Sequence, residues 1–145
     1  MSHFSVTRMV EFDAGHRVPS HAGKCQNPHG HHYRVTASVS GALVTHGPEQ
    51  GMVVDFGALK ECLTQVTERM DHAMLVWEGD DELLGAMKGH GWRMVTMPLP
   101  PTAEGLAEIL FKSLAPLVAT RWNGRVELER LTVWETPTTA ATFTP

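Results

Sequence analysis

The residues that could do chemistry are concentrated in Cys25–Tyr33, which reads CQNPHGHHY. His29 and His31 are spaced i, i+2, and side chains at that spacing on a β-strand point to the same face. Neutral imidazole is the commonest metal ligand among side chains, so the pair can converge on one ion. Gly30 has no side chain, which lets the strand approach a ligand closely. The stretch predicts a metal site with the thiol of Cys25 nearby.

A third imidazole comes from the strand that precedes this stretch. Apolar residues alternate from Phe4 to Phe12, and the same phase reaches His16 at the end of the strand. The loop 17–28 leads to a second strand over 29–39, in which His29 and His31 share the apolar phase. Antiparallel pairing of the two strands would bring His16 beside that pair.

Three protein ligands with an open fourth position are typical of a catalytic zinc site. If Cys25 were a fourth ligand, it would instead close the site. His-x-His pairs also occur by chance, so the spacing could also be a coincidence without any metal. His32 points to the other face and is not expected to bind the ion. As a non-ligand, Cys25 is either a small buried side chain or a thiolate activated by nearby groups.

Two further groups have both a structural and a functional interpretation. Asp71–His72 either caps a helix C-terminus or forms a pair in which the carboxylate orients a proton-transferring imidazole. Glu135 is either a surface carboxylate or the acceptor of two N–H groups from a guanidine-like heterocycle. Thr102 and Glu104 are either the start of a helix or contacts to a ligand.

Composition limits the class of protein. The 145 residues fit one domain, 1–145, and a net charge of −4 gives no basic field for nucleic acid or an anionic membrane. The two cysteines are too few for a disulfide framework. The start of the chain lacks the apolar region of a signal peptide, and no apolar run is long enough to span a membrane. We therefore expect a cytoplasmic protein.

The remaining pattern predicts an α+β fold with helices layered on a sheet. The long helix that begins at Thr102 contains Pro116. Proline inside a helix removes a hydrogen bond, so Pro116 should kink or end that helix. The predicted elements are a short strand Met52–Val54, a helix from Asp55 to Asp71–His72, a helical piece at Glu82–Met87, a strand Trp92–Met97, a helix from Thr102, a strand with a bulge at Glu129–Arg130 and a last strand over 139–144.

Six segments in order, FDAGH, CQNPHGHHY, GMVVDFGALK, MDHAML, PTAEGLA and VWET, resemble the 6-pyruvoyltetrahydropterin synthase / 6-carboxytetrahydropterin synthase family. The resemblance implies a tunnelling fold, with an antiparallel four-stranded sheet and two helices on one face. It also implies that oligomerisation forms the barrel: trimers stack into a homohexamer with active sites between subunits.

The resemblance also implies roles for individual residues. It makes His16, His29 and His31 the zinc ligands, Cys25, Asp71 and His72 the catalytic groups, and Glu135, with Thr102 and Glu104, the pterin-binding groups. The short gap between Cys25 and His29 resembles the bacterial queuosine-pathway branch. That branch implies conversion of 7,8-dihydroneopterin triphosphate to 6-carboxy-5,6,7,8-tetrahydropterin, acetaldehyde and triphosphate. The alternatives are a 6-pyruvoyltetrahydropterin synthase, a zinc- or pterin-binding module without turnover, and a zinc hydrolase.

Overall fold

The computed structural model describes residues 3–145; Met1 and Ser2 of the predicted domain lie outside the described residues. Over that range, six strands form one mixed sheet in the order β4-β3-β1-β2-β5-β6. The strands are β1 Phe4–His16, β2 His29–Gly41, β3 Ala73–Trp77, β4 Met94–Met97, β5 Glu127–Thr136 and β6 Thr139–Phe143. The helices are α1 Phe56–Thr67, α2 Asp81–His90 and α3 Ala103–Arg121, and 3-10 turns cover Lys24–Gln26 and Glu68–Met70.

The long antiparallel pair β1–β2 forms the centre of the sheet and carries the histidines. Its register places His16 directly opposite His29. The apolar phase of the two strands faces the main core, where Tyr33 and Val35 are fully buried and His16 is 2% exposed. The strand alternation therefore predicted the facing of these side chains correctly.

Helices α1 and α3 pack on this buried face, as expected. Asp55 and Thr102 cap them by accepting hydrogen bonds from the backbone N–H groups of Ala58 and Gly105. Of the two effects predicted for Pro116, a kink or an end of the helix, the end is wrong, because α3 continues to Arg121. Residues on both sides of the proline, including Leu114 and Val118, are buried in the core, and this packing offsets the lost hydrogen bond.

The α+β class is confirmed, and α1 and α3 share one face of the sheet, but the antiparallel four-stranded sheet is wrong. β3 pairs in parallel with both β1 and β4, which adds two strands and makes the sheet mixed. The helical piece at 82–87 extends to the whole of α2, and α2 packs on the opposite face of the sheet. Leu75 of β3 faces the main core, whereas Val76 packs with Leu83 and Met87 of α2.

Three smaller expectations had mixed outcomes. Val53 and Val54 are buried, but Met52–Val54 forms no strand. The bulge in β5 is confirmed, because Arg130 pairs with Ser38 and Leu128 with the next residue of β2, leaving Glu129 unpaired. The last strand is confirmed as β6.

Across residues 3–145, no helix has both the length and the apolar character needed to cross a membrane.

Candidate metal centre

Three imidazoles meet at the end of the β1–β2 pair. The Nε2 atom of His29 lies 3.1 Å from the Nε2 atom of His16 and 3.1 Å from that of His31. One ring nitrogen from each histidine lies within 4.8 Å of the other two. The register of the strands produces this arrangement, since His16 faces His29 and His31 follows on the same side.

Backbone carbonyls orient two of these rings. The Nδ1–H of His16 donates to the carbonyl oxygen of Pro101 at 2.6 Å, and the Nδ1–H of His29 donates to that of Asn27 at 2.7 Å. A carbonyl can only accept, so the proton resides on Nδ1 and the Nε2 lone pair points into the cluster. This is the usual way in which an outer partner fixes the tautomer of a metal-binding histidine.

Burial favours the neutral form of two of the three imidazoles, His16 and His31. Burial lowers the pKa of His16 to about 4; the hydrogen bond to Pro101 opposes this shift, and the charges of His29 and His31 add to it. Burial, with the charge of His29, also lowers the pKa of His31. Uncharged imidazoles are the form that coordinates metal.

The donor set fits a divalent ion. The Nε2 lone pairs of His16 and His29 lie 3.1 Å apart and repel each other unless a cation lies between them. Tetrahedral zinc with Zn–N bonds of 2.0–2.1 Å would separate its nitrogen ligands by about 3.3 Å, close to the observed spacing. Among residues 3–145, Cys25 does not contribute to the cluster, so the closed four-ligand arrangement does not form.

Glu135 lies at the edge of the cluster, near the end of β5. Its Oε1 atom is 4.0 Å from the Nε2 atom of His16, and its side chain is 25% exposed. Burial raises the pKa of Glu135, the negative charge of Glu104 adds to the shift, and His29 opposes it. A half-buried carboxylate beside three imidazoles can orient a ligand that reaches the cluster.

The N-terminus of α3 lies next to the same cluster through Pro101. Thr102 caps this helix, its Oγ1 atom accepting from the N–H of Gly105 at 3.0 Å. Glu104 is exposed in the first turn of the helix. Thr102 therefore has the structural role that the sequence allowed, while Glu104 acts on Glu135 through its charge.

Cys25 lies in the 3-10 turn Lys24–Gln26 and is partly exposed. Its carbonyl oxygen accepts a hydrogen bond from the N–H of Val18 at 2.8 Å, which folds the loop back toward the end of β1. In the described part of the chain, its Sγ atom makes no hydrogen bond with any other group.

Asp71 and His72 form the predicted pair beside Asp13 of β1, just before β3 begins. The Oδ1 atom of Asp71 lies 3.0 Å from the Nδ1 atom of His72 and also accepts from the N–H of Asp13. The hydrogen bond from Asp13 is the main reason that the pKa of Asp71 lies below its usual value. The side chain of His72 is 78% exposed. It lines an open cleft of about 760 Å³ that also reaches His31.

The structure does not assemble all the predicted groups. Within residues 3–145, no hydrogen bond or ion pair joins Asp71 or His72 to Cys25 or to the imidazole cluster. His32 is half exposed and pairs with Asp13 and Glu11, consistent with its assignment as a non-ligand.

Some groups at the site were missed by sequence reasoning. The backbone carbonyls of Asn27 and Pro101 orient two imidazoles, but every residue has such a carbonyl, so residue type does not reveal them. Pro101 is also 85 residues away from His16 in the sequence. Tyr33 reads as a core residue, yet its buried hydroxyl has no hydrogen-bond partner among the described residues. Burial raises the pKa of Tyr33, and the charge of Glu135 adds to that shift. The period-2 pattern that aligned the histidines also contained this tyrosine.

Comparisons with known proteins define the class of this site. The family described as 6-pyruvoyl tetrahydropterin synthase matches residues 5–145. The chain belongs to this family of enzymes.

Curated relatives narrow the comparison. The chain is 30% identical over 139 residues to the 6-carboxy-5,6,7,8-tetrahydropterin synthase of Haemophilus influenzae, covering 93% of this chain and 94% of that protein. It is 38% identical over 112 residues to the protein of the same name from Rickettsia bellii, covering 76% and 79%. A probable 6-carboxy-5,6,7,8-tetrahydropterin synthase of Halobacterium salinarum is 34% identical, with 96% and 85% covered.

Solved structures show the same fold. A variant of Plasmodium vivax 6-pyruvoyltetrahydropterin synthase superposes with a TM-score of 0.77 at 18% identity, covering 100% of this chain and 99% of that one. The Caenorhabditis elegans 6-pyruvoyl tetrahydropterin synthase gives 0.70 at 24% identity, covering 100% and 97%. The tunnelling fold expected from the sequence is thus the fold of these neighbours.

Proposed function

We propose that this protein converts 7,8-dihydroneopterin triphosphate to 6-carboxy-5,6,7,8-tetrahydropterin, releasing acetaldehyde and triphosphate. The observation that carries the proposal is the geometry of three Nε2 atoms around one point, with the Glu135 carboxylate 4.0 Å from one of them. A cation site beside a carboxylate suits a substrate that has both a hydroxylated side chain and a guanidine-like ring edge. The names of the curated relatives support the same activity.

In this proposal His16, His29 and His31 hold a zinc ion. When bound, zinc supplies Lewis-acid chemistry at the hydroxyl groups of the substrate side chain. The carbonyls of Pro101 and Asn27 keep two of the imidazoles aimed at the ion. Because burial lowers the pKa of His16, protons compete weakly for its Nε2 atom.

The other residues bind and move protons. Glu135 accepts hydrogen bonds from the guanidine-like edge of the pterin ring and so aims the side chain at the imidazole cluster, which is a positioning role. The Cys25 thiolate and the His72 imidazole transfer protons between the side chain and the ring. Asp71, 3.0 Å from His72, holds that imidazole in one orientation. The negative charge of Glu104 raises the pKa of the nearby Glu135 carboxyl.

A second copy of the chain completes the site in this proposal. His72 is highly exposed, and nothing in residues 3–145 bonds it to Cys25, so a neighbouring subunit can bring the two groups together. Assembly through the outer edges of β4 and β6 would close a barrel, and two trimers would make a homohexamer.

The triphosphate needs cations, for which the sequence offers Lys24 and Arg34. Arg34 donates from Nε to Glu11 at 2.9 Å on the opposite face of the sheet from the histidines, which makes it the poorer candidate. Lys24 is exposed beside Cys25 and is the better candidate.

We place the reaction in the queuosine (7-deazaguanine) pathway and in the cytoplasm, a reducing compartment that suits the two free thiols.

The test is incubation of the zinc-loaded protein with 7,8-dihydroneopterin triphosphate, followed by product mass and an acetaldehyde assay. Acetaldehyde with a carboxylated tetrahydropterin supports the proposal. A tetrahydropterin that keeps its three-carbon side chain indicates a 6-pyruvoyltetrahydropterin synthase instead.

Two outcomes would indicate other classes of protein. Binding of zinc and pterin without any turnover would indicate a binding module. Substrate hydrolysis that His16→Ala abolishes and Cys25→Ala leaves intact would indicate a zinc hydrolase, since hydrolysis needs activated water but no thiol.

A further inference from the structure

Arg17 immediately follows His16 at the end of β1 and makes a bidentate ion pair with Asp80, the residue before α2. Its Nε donates to Oδ2 of Asp80 at 2.7 Å, and its Nη2 donates to Oδ1 at 2.5 Å. The Asp80 side chain is 3% exposed and that of Arg17 is 17% exposed. A parallel pair of hydrogen bonds between guanidinium and carboxylate fixes direction as well as distance.

Asp80 is a firm anchor for this contact. Its Oδ1 atom also accepts from the N–H of Leu83 at 3.2 Å and caps α2, and its own N–H donates to the carbonyl oxygen of Trp77 at the end of β3. Leu83 and Met87 pack α2 against Val76 of the sheet. Asp80 is therefore held on both sides, with its carboxylate bonded to α2 and its backbone N–H bonded to the end of β3.

The loop that carries Cys25 has few other attachments. Among the described residues, the hydrogen bonds of 18–26 stay within the loop itself, apart from a turn contact to Asn27. One of them joins the N–H of Val18 to the carbonyl oxygen of Cys25 at 2.8 Å. Three consecutive residues thus connect three parts of the site: His16 to the imidazole cluster, Arg17 to the anchor and Val18 to the cysteine.

We propose that the Arg17–Asp80 ion pair is a positioning pair that sets the place of Cys25 relative to the three imidazoles. It acts through Val18, and neither of its members touches the substrate. Its catalytic consequence rests on the proposed function, whereas its effect on the accessibility of Cys25 does not.

The test uses the zinc-loaded protein with Asp80→Asn, since asparagine remains a good N-cap while the ion pair is lost. The first readout is the rate of Cys25 alkylation by iodoacetamide; Cys62, which is 5% exposed, serves as an internal reference that reacts only on unfolding. We expect the Cys25 rate to rise several-fold while Cys62 stays protected. The second readout is turnover, where we expect kcat to fall about 10- to 100-fold with little change in KM.

Arg17→Gln should reproduce both effects, and the double variant should be no worse than either single one, because all three remove the same interaction. The matched control is Arg130→Gln, which breaks the 3.5 Å pair between Arg130 and Glu129 and should change neither readout.

An unchanged or slower alkylation of Cys25 in both single variants would overturn the proposal, even if their melting temperatures fall. If the wild-type protein shows no turnover, the proposed function fails, yet the alkylation rates still decide whether the pair positions Cys25. If alkylation rises while kcat is unchanged, the pair does not position Cys25 for catalysis and the proposal is overturned.

Discussion

His16 and Pro101 are joined by a hydrogen bond of 2.6 Å between the Nδ1–H of the imidazole and the backbone carbonyl oxygen. The bond connects the end of β1 to the residue that precedes the N-cap of α3. The aim of a candidate metal ligand therefore depends on how the start of α3 is packed.

Gly105 makes that dependence testable. A Cβ atom at this position would overlap the carbonyl oxygen of Pro100. We expect Gly105→Ala to push the Pro100–Pro101 segment away, to lower the free energy of unfolding by about 1–3 kcal/mol and to weaken zinc binding. Urea unfolding and competitive zinc titration measure the two effects.

Gly85 in α2 is the matched control. A Cβ atom there meets nothing within 4 Å, so Gly85→Ala should leave zinc affinity unchanged and raise stability by about 0.5–1 kcal/mol. Equal zinc affinity in the two alanine variants would show that the start of α3 does not orient His16.

Asp80 predicts a specific loss of stability in acid. The hydrogen bonds from Arg17 are the main reason that the pKa of Asp80 lies below its usual value. A carboxyl whose pKa is lower in the folded than in the unfolded protein stabilises the fold above about pH 4, and the stabilisation is lost as the pH falls through the folded value. Asp80→Asn should therefore be less stable at pH 7 and should lose less stability than the wild type between pH 5 and pH 3, measured by urea unfolding. Parallel stability curves for the two proteins would contradict this account.

Glu135 should govern the affinity for the pterin ring and leave the metal in place. Charge-assisted hydrogen bonds contribute about 1.5–3 kcal/mol, so Glu135→Gln should weaken the binding of neopterin by roughly 10- to 150-fold. Zinc content should remain at the wild-type level. Fluorescence titration and metal analysis measure the two quantities.

Glu129→Gln is the control for this change, because Glu129 lies on the same strand but interacts with Ser5 at 2.8 Å, away from the cluster. The anchoring role is refuted if both variants bind neopterin as well as the wild type, or if Glu135→Gln loses its zinc.

The proposed sharing of the site between subunits predicts complementation. Cys25→Ala and His72→Ala should each be inactive as homo-oligomers. When the two chains are co-expressed and purified as mixed oligomers, some sites combine an intact Cys25 with an intact His72, and about a quarter of the wild-type activity should return. Mixed oligomers as inactive as the parents would place both groups of each site in one chain.

The histidine cluster was predictable because strand geometry is local. Alternation alone aligned His29 with His31 and placed His16 at the end of the neighbouring strand. The cap residues Asp55 and Thr102 were predictable for the same reason, since each acts within one helical turn.

The missed elements depend on distant partners. β3 is covered on both faces, so Leu75 and Val76 are both buried and show no alternation to read. The Arg17–Asp80 pair spans 63 residues along the chain, and no local pattern announces it. Val53 and Val54 have the composition of a strand but fill the core from an irregular segment.

The central claim is that three imidazoles from β1 and β2 hold one divalent ion, and the metal content of two neighbouring histidine variants tests it most directly. His29 lies in the cluster, whereas His32, three residues later on β2, is half exposed on the opposite face. After zinc loading and dialysis, we predict about one zinc per chain in His32→Ala and little or none in His29→Ala. Full zinc content in His29→Ala, or equal loss in the two variants, would contradict the claim.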